Sequence, residues 1–354
     1  MTPRKARIKD IAQLAGVSIG TVDRVLHNRG EVADKTKDKV LKIAKDLKYT
    51  PNFIAQALKA KKRLKIISLL PEPTEDNAFW HKHPEGIKRA ITALSPFPVI
   101  PEQLTFDMLC EEDFRNKTLE VLKRKPDGVI LAPIFKDETI VFSDQLRKIG
   151  IPLVFIDGFV KEAHFLSYTG EDVFQSGRVA GQLTDMVTEV DKDILIINIA
   201  RNLQNVHHLN NRTMGFMSYF PESGRNQGMK ISLNISDPGK ESIKNELDKV
   251  LKKNPDIASM FITGSKSFKI ADYLSSEGIR NINIIGYDLL DKNVDYLNKG
   301  MIRFLIGQRP EEQTYLSVRK LFNYLSMNMI PDKFEYLPVD IVTSENVKFF
   351  VNNQ

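Results

Sequence analysis

Apolar residues recur along this chain with two periods, and the change falls near residue 64. Before it the spacing is helical. Ile8, Ile11, Ala12 and Ala15 fall at i, i+3, i+4 and i+7, one face of a short helix. Gly16 breaks the pattern where a tight turn wants a residue that tolerates positive φ. Ser18 is a good N-cap, and Val22, Val25 and Leu26 supply a second apolar face. After Asn28-Arg29-Gly30, a third face is made by Val40, Ile43, Ala44 and Leu47. Pro51 stops that helix, because Tyr49 and Thr50 before it are pushed off helical geometry. Asn52 can then cap one more short helix, 53–60, whose length is marginal for a helix alone in water.

From residue 64 the pattern becomes short apolar runs separated by helical stretches. Leu64 to Leu70 is the first run, closed by prolines. Residues 84–94 read as a helix with Ile87, Ala90, Ile91 and Leu94 on one face. Further runs are 128–131, 152–156, 194–197, 259–262 and 282–285. Runs of this kind suit strands buried on both faces, and their alternation with helices predicts doubly wound parallel sheets. Six or more strands with a crossing near residue 165 predict two similar lobes.

Charge sharpens the reading of the first segment. Residues 1–63 carry 16 Lys and Arg against 6 Asp and Glu, a net of +10; the whole chain is +6, which leaves residues 64–354 at −4. Two short helices joined around a glycine are the helix-turn-helix arrangement, which lays the start of its second helix in the major groove. A basic headpiece on a slightly acidic body is the footprint of phosphate binding, although a solvated charged bundle would share it. The groove-facing candidates are Ser18, Ile19, Gly20 and Thr21, with Asp23 and Arg24 one turn on.

In parallel α/β sheets, ligands bind beyond the carboxyl ends of the strands. Asn77, Phe79 and Trp80 follow the first run, and Asp157 follows 152–156. Asn211 and Arg212 come after 194–197, Thr263 after 259–262, Tyr287 and Asp288 after 282–285, and Gln308 after 304–306. Carboxylates, an arginine, amides and aromatic faces in one cleft suit a small polyhydroxylated ligand, through charge-assisted bonds to hydroxyls and ring packing on C–H faces. Asp157 and Asp288 are also plausible strand-end caps, Arg212 a helix cap and Trp80 a core residue.

The run IKDIAQLAGVSIGTVDRVLHNRG, with VADKTKDKVLKIAKDLKYTPNFIAQALK after it, resembles the headpiece and hinge of the lactose/galactose repressor family over about 55 positions. The resemblance implies base reading by Ile19 and Gly20, although Gly20 has no side chain to read with. It also implies DNA contacts from His27 and Asn28. Two hinge helices would enter the minor groove together, with Asn52 as cap, Ala55 allowing close approach, Lys59 at the groove floor or a phosphate, and Leu58 as the wedge that parts the central step. Asp23 stands where relatives carry a small hydroxyl residue. It would repel phosphates or accept from a cytosine amine.

Beyond residue 64 the chain looks like the sugar-binding body of these repressors and of periplasmic ribose-type binding proteins. That likeness rests on Asn77-Ala78-Phe79-Trp80, Arg212-Thr213-Met214-Gly215-Phe216, Tyr287-Asp288, Gln308 and the 340–346 tail. Three features depart from it. Thr263-Gly264-Ser265 replaces a usual Asn-Asp pair, Gly158 follows Asp157 where ribose-type binders place an arginine, and the loop 199–208 is long and polar. The expected division is a helix-turn-helix headpiece at 1–50 and a hinge at 51–63. One lobe would then hold 64–165 with about 309–335, and the other 166–308 with about 336–354.

The remaining signals mainly exclude. Cys110 is the single cysteine, so no internal disulfide can form and a reducing compartment fits. MTPRKARIKD lacks the apolar stretch of a secretion leader, and no apolar run reaches the ~18 residues of a membrane span. The expectation is a cytoplasmic protein, found at the nucleoid when on DNA. Neither a nucleophile elbow, a phosphate loop nor a dinucleotide fingerprint is present. Cys110 sits in an acidic Cys-Glu-Glu-Asp stretch, a poor setting for a nucleophile. His81/His83 and His207/His208 have no third ligand at sensible spacing, so no metal and no cofactor is expected. The sequence therefore predicts a non-enzymatic, homodimeric transcription regulator, most simply a repressor, controlled by a carbohydrate-like effector. The alternatives are an effector-independent regulator with a degenerate pocket, or a sugar-binding protein of another role.

Overall fold

The computed structural model describes residues 7–26, 32–47, 63–201 and 207–351. The expected contacts at His27, Asn28, Asn52, Ala55, Leu58 and Lys59 lie outside the described residues. By internal contacts the chain divides into a unit of residues 1–61 and a unit of residues 62–354.

The first unit contains α1 (Ile8–Ala15), α2 (Ile19–Leu26) and α3 (Asp34–Asp46). Ile11, Ala12, Ala15, Val22, Val25, Val40 and Ala44 form its core, with Ile43 and Leu47 packed at the edge. Gly16 closes α1 at φ 68°, the conformation a side chain would oppose. The Asp10 carboxylate accepts from the Arg7 backbone N–H at 2.8 Å and satisfies an orphan donor at the helix start.

The second unit holds two six-stranded sheets. Sheet one runs in the order β11-β5-β4-β3-β1-β2. Here β1 is Leu64–Pro71, β2 Val99–Phe106, β3 Gly128–Leu131, β4 Leu153–Ile156, β5 Ser167–Gly170 and β11 Phe334–Tyr336. All its pairings are parallel. Sheet two runs β12-β10-β9-β8-β6-β7, with β6 Asp193–Ile199, β7 Lys230–Ile235, β8 Ile257–Ile262, β9 Asn283–Tyr287, β10 Ile302–Gly307 and β12 Asp340–Val342. Among the described residues only its β10–β12 pair is antiparallel. The helices on the first lobe are α4 (His83–Ala93), α5 (Glu111–Arg124), α6 (Lys136–Lys148) and α12 (Pro310–Met327). On the second they are α7 (Val173–Val187), α8 (His207–Ser223), α9 (Lys240–Lys253), α10 (Ser267–Ser276), α11 (Asp291–Asn298) and α13 (Lys348–Val351).

Sheet membership corrects the expected lobe boundary at residue 165. β5 pairs with β4 and β11 in sheet one, so the chain leaves that lobe after Gly170. It returns after Gly307 and crosses again between Tyr336 and Asp340. Ser167, Tyr168 and Thr169 are fully buried yet are not an apolar run, which is why the pattern gave no strand there.

The edge strands β2, β7 and β11 were equally silent. β2 alternates buried and exposed positions and tolerates Pro101, as an edge strand can. Among the described residues, no helix is long and apolar enough to cross a membrane.

Candidate functional site

Every first-lobe and second-lobe strand that points at the cleft delivers side chains from its carboxyl end, and these line a cavity of about 430 Å3. From the first lobe come Asn77, Phe79 and Trp80 after β1, Asp107 and Met108 after β2, and Asp157 after β4. From the second come Arg201 after β6, Arg212 on α8, Ser265 and Lys266 after β8, Asp288 after β9 and Gln308 after β10. Volumes of this order hold small molecules.

Arg212 is the hub. It is 3% exposed, and its Nε donates to Glu171 Oε1 at 2.9 Å while Nη2 also bonds that oxygen. Nη1 donates to the Thr263 carbonyl at 2.8 Å and Nη2 to Gln308 Oε1 at 2.5 Å. Gln308 passes the network on, donating from Nε2 to Asp288 Oδ1 at 2.8 Å. The Arg212 guanidinium also lies 3.7 Å from the centroid of the Tyr287 ring. Its placement depends on two glycines. A Cβ on Gly177 of α7 would come 2.2 Å from the Arg212 carbonyl oxygen, and one on Gly215 of α8 would come 2.0 Å from that of Phe174. Only glycines at both positions let the two helices approach closely enough to hold Arg212 at this depth.

Three carboxylates surround this one guanidinium. Burial pushes Asp288 up to about 7, against Arg212 and the Gln308 hydrogen bond, which favour its charge. Burial likewise pushes Asp157 up to about 6, opposed by Arg212 and assisted by Glu171. Asp157 is half-buried at the cavity wall whereas Asp288 is buried, so the larger pH response is assigned to Asp288. Arg212 itself is disfavoured by burial, but Glu171 above all keeps it charged. Asp157 and Asp288 sit at φ 64° and 70°, left-handed geometry that non-glycine residues adopt at a cost, and one that clusters at ligand sites. Gln313 holds the first of them: its Oε1 accepts from the Asp157 N–H at 2.7 Å, and its Nε2 donates to the Gln308 carbonyl at 3.0 Å.

The aromatic wall is Phe79 and Trp80, edge to face at 5.2 Å. Trp80 stacks at 4.5 Å on the fully buried ring of His83. Burial pushes His83 down to about 3, so the ring is neutral near pH 7. Among the described residues no cluster of His, Cys, Asp or Glu could hold a metal ion.

Seven of the ten predicted cleft residues line the cavity: Asn77, Phe79, Trp80, Asp157, Arg212, Asp288 and Gln308. Asn211 is exposed outside it, and two further side chains do not line it. Thr263 is fully buried and turns its hydroxyl to Asn198 Oδ1 at 2.6 Å, so only its carbonyl serves the site, through Arg212. The Tyr287 hydroxyl pairs with Ser176 at 2.7 Å, and its ring backs Arg212. Asn77 lines the cavity but spends its amide on Thr74, the Glu72 carbonyl and Met108. The sequence reading missed Glu171, the principal partner of Arg212, together with Glu72, Asp107, Arg201 and Lys266. Glu171 follows β5, so finding that strand would have exposed it by the same strand-end rule.

In the headpiece, Ser18 Oγ accepts from the Thr21 N–H at 3.0 Å and caps α2. Ser18, Ile19, Gly20 and Arg24 are exposed along one side of that helix, while Thr21 and Asp23 are half-buried. A side chain at Gly20 would meet only Ser18 Oγ, at 3.7 Å, so the position is open for close approach to another surface.

These features define a class: a helix-turn-helix unit carried by a two-lobed binding body. Comparison with known proteins agrees. Residues 67–328 match the periplasmic binding protein domain and residues 7–52 the bacterial regulatory proteins of the lacI family. Over 319 residues the chain is 27% identical to the sucrose operon repressor of Lactococcus lactis subsp. lactis, covering 89% of this chain and 93% of that one. It is 34% identical over 159 residues to the HTH-type transcriptional regulator DegA of Bacillus subtilis, a match that spans 43% of this chain and 44% of the relative. The crystal structure of a LacI transcriptional regulator from Bacteroides fragilis superposes with a TM-score of 0.76 at 29% identity, over 81% of this chain and 99% of that one. The chain belongs to the lacI family of bacterial regulatory proteins and is a DNA-binding transcriptional regulator.

Proposed function

We propose that this regulator is a repressor whose operator affinity is set by a small sugar-like effector held between the two lobes. The observation that carries the reading is the Glu171–Arg212–Gln308–Asp288 array, which is buried at strand ends beside an aromatic wall and opens onto a cavity of ligand size. Carboxylates short of donors ask for hydroxyl groups, and the Trp80 and Phe79 rings offer a face for a sugar's C–H surface. Relatives that include a sucrose operon repressor and a ribose operon repressor support the ligand class.

Closure of the lobes on the effector would then alter the geometry of a homodimer. In that dimer Asn52, Ala55, Leu58 and Lys59 form the hinge contacts in the minor groove, beside major-groove contacts from residues 18–28. The protein would act in the cytoplasm, at the nucleoid when on DNA, and without catalysis.

The test is a thermal-shift screen against pentoses, hexoses, polyols and inositols. A ligand at 100 times its Kd adds about 2.7 kcal/mol to the folded state. Trp80, the single tryptophan, lines the cavity and should report the same compound by fluorescence. No response across the panel would contradict the sugar reading and favour a regulator that senses no such ligand.

A further inference from the structure

A second cavity, of about 440 Å3, lies on the second lobe among α9, α10 and α11. It shares no lining residue with the interlobe cleft. Ile243 and Tyr273 are buried beneath it, and Phe268 and Tyr296 form half-buried walls.

Its rim is cationic. Lys240, Lys244, Lys269, Lys292 and Lys299 line it against two acids, Asp272 and Asp295, a formal net of +3 on a body whose residues 64–354 carry −4. Helix geometry builds this: Lys240 and Lys244 are one turn apart on α9, and Lys292 near the start of α11 lies two turns before Lys299 at its C-cap.

Ion pairs offset part of the rim charge. Lys240 stands 3.5 Å from Asp272, which the Tyr296 hydroxyl also engages at 3.1 Å. Lys244 pairs with Glu277 and Asp248, neither of which lines the groove. Lys269 donates to the Pro238 carbonyl at 2.9 Å. Lys292 lies 5.4 Å over the Phe268 ring and Lys299 5.2 Å over the Tyr296 ring.

We infer that this groove binds a second small ligand, a phosphorylated ring compound. Ammonium groups receive phosphate as point charges, and the aromatic walls accept the face of a ring. Nucleotides and sugar phosphates share that chemistry.

The groove is one side chain from the cleft. Asn293 Oδ1 accepts from the Phe268 N–H at 2.8 Å, while Nδ2 donates to the carbonyls of Ser265, Tyr287 and Asp288 at 2.9, 3.0 and 2.9 Å. Ser265 and Asp288 line the interlobe cavity. A ligand that shifts Phe268 therefore pulls on the frame that holds the cleft.

The experiment is calorimetric titration of the full chain with ADP and with ribose 5-phosphate, at about 50 and about 300 mM salt. At least one probe should bind the unmodified protein with a Kd below about 1 mM. Binding should weaken about tenfold or more in the Lys292→Glu/Lys299→Glu double variant and at the higher salt. Phe268→Ala should weaken it without change in the salt dependence, and Asp157→Ala, a cleft change that leaves the hydrogen bonds of Arg212 in place, should not alter it. Binding of ADP alone identifies a nucleotide, and of ribose 5-phosphate alone a sugar phosphate. The inference is overturned if neither probe binds, or if Asp157→Ala abolishes binding that the double lysine variant retains, since the compound would then sit in the cleft.

Discussion

Arg212→Ala isolates the energetics of the buried array. Arg212 and Glu171 are each 3% exposed, and Glu171 Oε2 already lacks a hydrogen-bond partner among the described residues. Truncating Arg212 leaves Glu171 buried beside Asp157 and Asp288 without the guanidinium that compensates it. Breaking one member of a buried pair costs about 3–5 kcal/mol, more than the lost contacts to Gln308 and Thr263 would cost in water. In a body of this size each kcal/mol lowers Tm by about 2 °C, so a fall of about 6–10 °C is expected. Urea unfolding followed through Trp80 reads the body, because the headpiece contains no tryptophan. The control removes both charges: Arg212→Met with Glu171→Leu should recover to within about 1–2 kcal/mol of the parent, because the desolvation cost goes with them. A single variant destabilised by less than about 1 kcal/mol, or a double variant no better than the single, would refute the assignment of Arg212 as the compensating charge.

Other perturbations probe neighbouring parts of the account. Asp157 and Asp288 are held above their unfolded values, so the folded body binds more protons than the unfolded chain. Their contribution is fully present below about pH 4 and is lost as pH rises through about 6 and 7. The urea midpoint of the ligand-free body should show that slope, and Asp288→Asn should flatten it; an unchanged slope in that variant would remove Asp288 as its source. Gly215→Ala must displace α8 from the Phe174 carbonyl, at about 1–3 kcal/mol, and calorimetry should record the loss. Asn293→Ala strands three carbonyls and one N–H at the ends of β8, β9 and α10, and should cost about 2–4 kcal/mol in the same measurement. Leu58→Ala should weaken operator binding while leaving the melting temperature of the body unchanged; unaltered affinity for the operator would remove the wedge assignment.

How much of this was legible in the sequence follows from what each element buries. Central strands such as β3, β4, β6 and β8 are covered on both faces and read as apolar runs. The edge strands β2 and β7 keep exposed positions, and β5 is buried through Ser167, Tyr168 and Thr169, so none of the three carried that signal. The cleft was legible because strand ends point at it, and Asp157, Arg212, Asp288 and Gln308 all stand just beyond runs that could be recognised. Glu171 was lost with β5. The orientations of Thr263 and Tyr287 were not encoded in their positions: each stands at the end of a strand, yet Asn198 and Ser176 draw their hydroxyls into the core. That Arg212 ties together the ends of several strands depends on the Gly177–Gly215 helix contact, which spacing alone does not reveal.

The most direct test of an effector-controlled regulator is the coupling between its two ligands. With the sugar found by thermal shift, operator affinity is measured at zero and saturating sugar, and sugar affinity is measured with and without operator. Linkage requires the same factor in both directions, typically about 5–150-fold. Equal factors in that range are the predicted result. Operator affinity that stays constant at saturating sugar would contradict the account, because binding without a differential effect on DNA cannot control transcription.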